Sequence, residues 1–83
     1  MDAKLKADWI AALRSGEFKQ CQYVLSNTRG EHCALGVLQR IAPATHIYRL
    51  VSTELWQSCA YLNDIKQLSF PQIADWLESN PDV

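Results

Sequence analysis

No stretch of this chain approaches the run of roughly 20 apolar residues that a membrane-spanning helix requires. The opening Met1-Asp2-Ala3-Lys4-Leu5-Lys6 scatters polar residues where a secretory signal would be apolar, so a cytoplasmic location is expected. Glycine is sparse, and Gly16, Gly30 and Gly36 stand too far apart to form a phosphate-cradling loop. Cysteine occurs three times, at Cys21, Cys33 and Cys59, with no Cys-x-x-Cys pair. An odd count leaves one thiol over, which argues against a disulfide framework. Even with His32 added, the spacing lacks the two close pairs of a structural zinc site. The thiols read instead as small buried apolar side chains, and nothing calls for a cofactor.

Eighty-three residues suffice for one core, so residues 1–83 are expected to form a single domain. A hydrophobic fraction of 48% with 20% charged residues is that of an ordinary globular protein. The net charge of −1 conceals an asymmetry. Residues 1–53 carry seven Lys/Arg against four Asp/Glu, and residues 54–83 carry one Lys against five acids. One face is therefore expected to be mildly basic and another acidic.

The periodicity predicts a mostly α (α+β) fold with about four helices and a short β-hairpin after the first. Leu5, Trp9, Ala12 and Leu13 fall on one arc of a helix running from Asp2 or Ala3 to Ser15, ended by Gly16. Phe18, Cys21, Tyr23, Val24 and Leu25 fit no helical stripe. Their aromatic and β-branched content predicts a strand over Phe18–Leu25 that pairs with Glu31-His32-Cys33 across an Asn27-Thr28-Arg29-Gly30 turn. Over Cys33–Ala42, residues Ala34, Leu35, Leu38, Ile41 and Ala42 share a face, and Pro43 ends that helix. Gly36 inside it costs about 1 kcal/mol relative to Ala, which implies close approach of another backbone. A third helix is expected from Thr45, with Ile47, Val51 and Leu55 inward, and Glu54 inside that arc points to a break around Ser52–Glu54. Asn63-Asp64 reads as a turn. Ser69 and Gln72 form a capping box for a last helix, with Phe70, Ile73, Ala74 and Leu77 inward and Asn80-Pro81 at its close. Leu5, Trp9, Leu13, Leu35, Leu38, Ile41, Ile47, Val51, Ile73 and Leu77 should supply the core.

Candidate chemistry is thin. Adjacent His32 and Cys33 would point in different directions in either a strand or a helix, so they make a poor nucleophile pair. Asp75 and Glu78, at i and i+3, form a carboxylate pair that reads first as a solvated helix face. No catalytic set is assembled, and an enzyme is not expected. Three tryptophans are many for this length. Trp9 and Trp76 belong with the core, whereas Trp56 points off its helix's inner stripe, between Tyr48 and Tyr61. Aromatics that stay exposed are typical anchors of protein interfaces. The expected partner-binding set is Trp56, Tyr48 and Tyr61, with Asp75, Glu78 and Asp82 as an acidic patch able to enter a basic groove. A homodimer would use the same strip equally well. The alternative is a small DNA-binding regulator with a helix-turn-helix-like pair over 33–58, using Arg40 and Arg49. Against it, the chain is slightly acidic and has no Lys/Arg cluster.

Several of these segments form a pattern. Trp9, Ala12-Leu13-Arg14-Ser15-Gly16, Phe18-Lys19-Gln20, Cys33-Ala34-Leu35-Gly36-Val37-Leu38, Leu62-Asn63-Asp64 and Ser69-Phe70-Pro71-Gln72-Ile73-Ala74-Asp75-Trp76-Leu77-Glu78 follow in order. Together they resemble a family of small proteins common in bacteriophage and prophage genomes. The family usually has a second cysteine where His32 stands, and the stretch from Pro43 to Tyr61 departs from it. The resemblance carries over no catalytic residue. It implies a shared scaffold with a variable middle, and a phage setting in which small proteins bind a host protein and block it. An inhibitor of a bacterial defence system, such as a CRISPR effector, is the expectation that follows.

Overall fold

Helix α1 spans Ala3–Arg14 in the computed structural model, which describes residues 1–81. It begins where the Asp2 carboxylate accepts the Leu5 amide at 2.7 Å, satisfying one of the free N–H groups of the first turn. It ends at Ser15, and Gly16 follows with a φ of +77° that a residue bearing a Cβ seldom adopts. Helix α2 spans Ala34–Ile41, α3 is a single turn at Ile47–Leu50, α4 spans Thr53–Ala60 and α5 spans Phe70–Glu78. The chain leaves α4 through one π-helical turn, Tyr61–Ile65, in which the Lys66 amide donates to the Tyr61 carbonyl at 3.0 Å. The capping box of α5 forms as its spacing predicts: Ser69 Oγ accepts the Gln72 amide while Gln72 Oε1 accepts the Ser69 amide.

Helix α1 packs against α5 and α2, and α2 in turn against α3 and α4. One cluster of buried side chains fills the space between them. Trp9, Leu13, Leu35, Leu38, Ile47, Ile73 and Leu77 lie in it as expected, whereas Leu5, Ile41 and Val51 pack at its margin. Trp9 is wholly buried, and its indole N–H donates to the Ala34 carbonyl at 2.9 Å, so the ring's one polar atom is satisfied inside the core. Periodicity alone left out Val37 and Cys59, which are also buried, whereas Phe70 is buried on the inner face read for the last helix. Val37 lies beside the stripe read for α2, which is buried from Ala34 through Leu38.

The predicted β-hairpin does not form. Residues 17–33 make an irregular loop with two isolated bridges, Gln20 to His32 (parallel) and Ser26 to His32 (antiparallel). His32 thus lies between two arms of the same segment. Its amide donates to the Lys19 carbonyl at 2.8 Å, its carbonyl accepts the Cys21 amide at 2.9 Å, and the Cys33 amide donates to the Leu25 carbonyl at 3.1 Å. Between the arms the chain turns at Tyr23, where φ is +71°, and that reversal prevents a strand from running through Phe18–Leu25. The Asn27–Gly30 turn does form, with Asn27 Oδ1 accepting the amides of Arg29 and Glu31.

The expected third helix divides in two. His46, not Thr45, caps α3, its Nδ1 accepting the Tyr48 amide at 3.3 Å. Val51 is extended, and Ser52 starts α4 by accepting the Leu55 amide at 3.1 Å. A hydroxyl cap of this kind offers the backbone an alternative to continuing the helix, which places the break at Ser52.

Candidate functional site

The break between α3 and α4 folds Tyr48 back toward Trp56. Their rings stack with centroids 5.2 Å apart and planes 18° from parallel, and Tyr48 stacks equally on His46 at 4.7 Å and 20°. Tyr48 is nevertheless 72% exposed. His46 was absent from the sequence-derived set. Its capping role fixes the ring: with Nδ1 accepting from Tyr48, the imidazole hydrogen belongs on Nε2.

Three recesses surround this stack. One of about 270 Å3 is bounded by Tyr48, Val51, Ser52 and Trp56. A second of about 150 Å3 lies on the loop side of Trp56, between Tyr23, Val24, Cys33 and Asp64. The third, about 490 Å3, runs between the 25–32 loop and α2, with His32, Arg40 and His46 on its walls. Trp56 is shared by the first two, Leu25 by the second and third, and His46 joins the third to the stack. Tyr23, 70% exposed, and Val24 add apolar surface beside Trp56.

Beneath the second recess lies a polar hub. Asn63 is 1% exposed and makes four hydrogen bonds. Its Oδ1 accepts from the Ala34 amide (3.1 Å) and from Gln20 Nε2 (2.8 Å); its Nδ2 donates to the Cys21 carbonyl (2.9 Å) and to Asp64 Oδ1 (2.8 Å). Asp64 Oδ1 also accepts the Tyr23 amide at 2.9 Å, and so holds the left-handed turn in place. Gln20 reaches on to the Leu68 carbonyl at 2.8 Å. The hub ties the irregular loop, the start of α2 and the π-helical turn together without a strand. Leu62-Asn63-Asp64 stood out in the sequence but read as a turn, because nothing local shows that the amide faces inward.

Gly36 explains how the loop lies so close to α2. A Cβ at this position would come within 1.8 Å of the Leu25 carbonyl oxygen and 3.2 Å of His32 Cβ. The close backbone approach expected from a glycine inside α2 is therefore that of Leu25.

The remaining sequence candidates separate. Tyr61, which opens the π-helical turn, is 53% exposed but shares no ring contact with the stack. Asp75 and Glu78 do not form a free acidic patch. Arg14 Nη2 meets Asp75 Oδ1 at 2.7 Å and Arg14 Nη1 meets Glu78 Oε2 at 3.0 Å, joining α1 to α5. The hydrogen bonds to Glu78 and then Asp75 raise the pKa of the guanidinium further. Asp82 lies outside the described residues. Arg40 and Arg49 are exposed and form no salt bridge among the described residues, and Arg40 lines the third recess.

Burial raises the pKa of all three thiols: Cys59 reaches about 12, and Cys33 and Cys21 are pushed in the same direction. Suppressing the thiolate is the opposite of what nucleophilic cysteine chemistry requires. Among the described residues, no group of three His, Cys, Asp or Glu side chains converges to hold a metal ion. No described helix is long and apolar enough to cross a membrane.

No curated protein and no solved structure matches the chain. The model of the family described as a domain of unknown function, DUF8296, matches residues 1–81, with the Trp9 anchor, the Gly36 contact, the Asn63 hub and the α5 capping box all inside the match, and the chain belongs to that family.

Proposed function

We propose that this chain is a non-enzymatic binding protein that docks on a host protein through the Tyr48–Trp56 surface and blocks it, in the manner that the phage resemblance implies. One observation carries the reading. Tyr48 is 72% exposed yet already ordered by stacking on His46 and Trp56. Much of its rotamer freedom is lost before any partner arrives, so burying it against one incurs little further ordering cost. Pre-ordered aromatics beside unfilled recesses are the usual anchors of protein recognition. A target in bacterial defence, such as a CRISPR effector, is the specific form of the proposal. Asp75 and Glu78, already engaged by Arg14, play the smaller part in it.

A DNA-binding regulator is the second reading, supported by the exposure of Arg40 and Arg49 without salt-bridge partners among the described residues. It has to contend with α3, a single turn where a recognition helix would be longer.

The test is capture from a bacterial host lysate with and without nuclease, using the native chain and three variants. The proposal expects one protein in stoichiometric amount, lost with Tyr48→Ala and with Trp56→Ala but kept with Tyr61→Ala. Equal retention by all three variants would overturn the surface assignment. Recovery of DNA that disappears on nuclease treatment would favour the regulator.

A further inference from the structure

We infer that the cleft between the 25–32 loop and α2 is a carboxylate-binding site that receives an acidic side chain of a protein partner. The inference rests on the protein-binding reading and names the chemistry of the segment bound. The cleft measures about 490 Å3 and is walled by Leu25, Ser26, His32, Gly36, Arg40 and His46.

Arg40 and His46 bring free N–H donors to the cleft. His46 uses Nδ1 to accept the Tyr48 amide, which leaves Nε2–H as its free group. His32 also borders the cleft, with its Nδ1 buried and without a hydrogen-bond partner among the described residues. Arg40 brings five N–H donors and makes no side-chain hydrogen bond or ion pair among the described residues. The other amide in the wall, Gln39, is already engaged within the fold. It donates to the Ala42 and Thr45 carbonyls and accepts the Ile47 amide. Among the described residues, no Asp or Glu lines the cleft. Such a set of donors calls for an anion.

The charge count selects which anion. A nucleic-acid backbone requires several Lys or Arg side chains, one for each phosphate neutralised. Here one arginine lines the cleft with two histidines on a chain of net charge −1, which suits a single carboxylate. The planar guanidinium matches a carboxylate in bidentate geometry. Leu25 and Gly36 provide an apolar floor for the methylenes of the acid. His46 continues the surface into the Tyr48 stack, so the segment bound pairs an acidic residue with a nearby apolar one.

Proton–nitrogen correlation NMR on the whole chain tests this directly. The probes are the peptide acetyl-Leu-Gly-Glu-Gly-amide, its counterpart with Gln for Glu, inorganic phosphate and a short thymidine oligonucleotide. The glutamate peptide should shift the His32, Gly36, Arg40 and His46 amides saturably, and the Gln counterpart should bind at least about tenfold more weakly. Arg40→Gln should reduce binding of the glutamate peptide as much, while the remaining spectrum stays native. Equal binding of the two peptides would overturn the inference, as would tighter binding of phosphate or oligonucleotide. So would the absence of saturable shifts up to about 10 mM peptide. A positive titration beside a blank lysate capture would count against the host-protein reading and leave the cleft's chemistry standing.

Discussion

The side-chain oxygen of Asn63 accepts the backbone amide of Ala34, 29 positions earlier in the chain, at 3.1 Å inside the core. Ala34 opens α2, where backbone amides lack partners within the helix. Cys33, the N-cap residue, makes no side-chain cap, and Asn63 supplies from a distance an acceptor for the first of these amides.

Asn63→Ala should therefore cost about 2–4 kcal/mol, since it leaves the Ala34 amide and Cys21 carbonyl unpaired in the interior. Asn63→Asp is the sharper variant. It keeps the acceptor but turns an oxygen toward the Cys21 carbonyl and Asp64, where Nδ2 now donates. Urea denaturation should show both variants clearly weakened. A native midpoint for Asn63→Asp would refute the hub.

Gly36→Ala reverses the usual helix rule. Within a helix, alanine is normally favoured over glycine by about 1 kcal/mol. Here the added Cβ would meet the Leu25 carbonyl oxygen at 1.8 Å and its carbon at 2.8 Å, both backbone atoms. The loop must move away, and a loss of about 3 kcal/mol or more is expected, read as a fall in Tm. A raised Tm would mean that the Leu25 contact is not part of the native fold.

The thiols bear on alkaline stability. Cys59 is pushed from 9.0 to about 12, so between those values the unfolded chain has lost this proton while the folded chain keeps it. The contribution is fully present below pH 9.0 and is lost as pH rises toward about 12. In that window it falls by up to about 1.4 kcal/mol per pH unit. Denaturation series at rising pH should show Cys59→Ala less sensitive than the native chain. At neutral pH, iodoacetamide should label the thiols only as fast as the chain opens, and rapid labelling of folded protein would contradict their burial.

Arg14 joins α1 to α5 across open surface, so its contribution should respond to salt. Arg14→Gln should lower Tm slightly at low ionic strength and less at high. Asp75→Lys with Glu78→Lys should be worse than Arg14→Gln, because two new cations would face the guanidinium. Thermal melts at two salt concentrations decide it. Equal losses at both would assign the effect to packing of the Arg14 stem.

Local chemistry accounts for what was legible beforehand. Helices α1, α2 and α5 follow from apolar spacing, and α5 also from its capping box, Ser69 to Gln72. The reading failed where a local preference met a distant partner. Phe18–Leu25 has the composition of a strand, but Asp64 holds the Tyr23 amide in a turn that composition does not encode. Of the candidate site, Tyr48 and Trp56 were named from the sequence and are brought together. Tyr61 is not, and His46 and His32 come to the surface region only through the fold.

What the sequence by itself determined, then, was helices α1, α2 and α5 with their inner faces, the need for space at Gly36 and the surplus of aromatics, all set by neighbours within a turn or two. The tertiary structure decided the rest. It turned Asn63 into a buried junction, paired Asp75 and Glu78 with Arg14 more than sixty positions away, and stacked His46, Tyr48 and Trp56 into one surface. Periodicity records which way a side chain faces on its own helix, whereas a hydrogen bond or ring stack between segments depends on where the other segment arrives, and only the packed chain determines that.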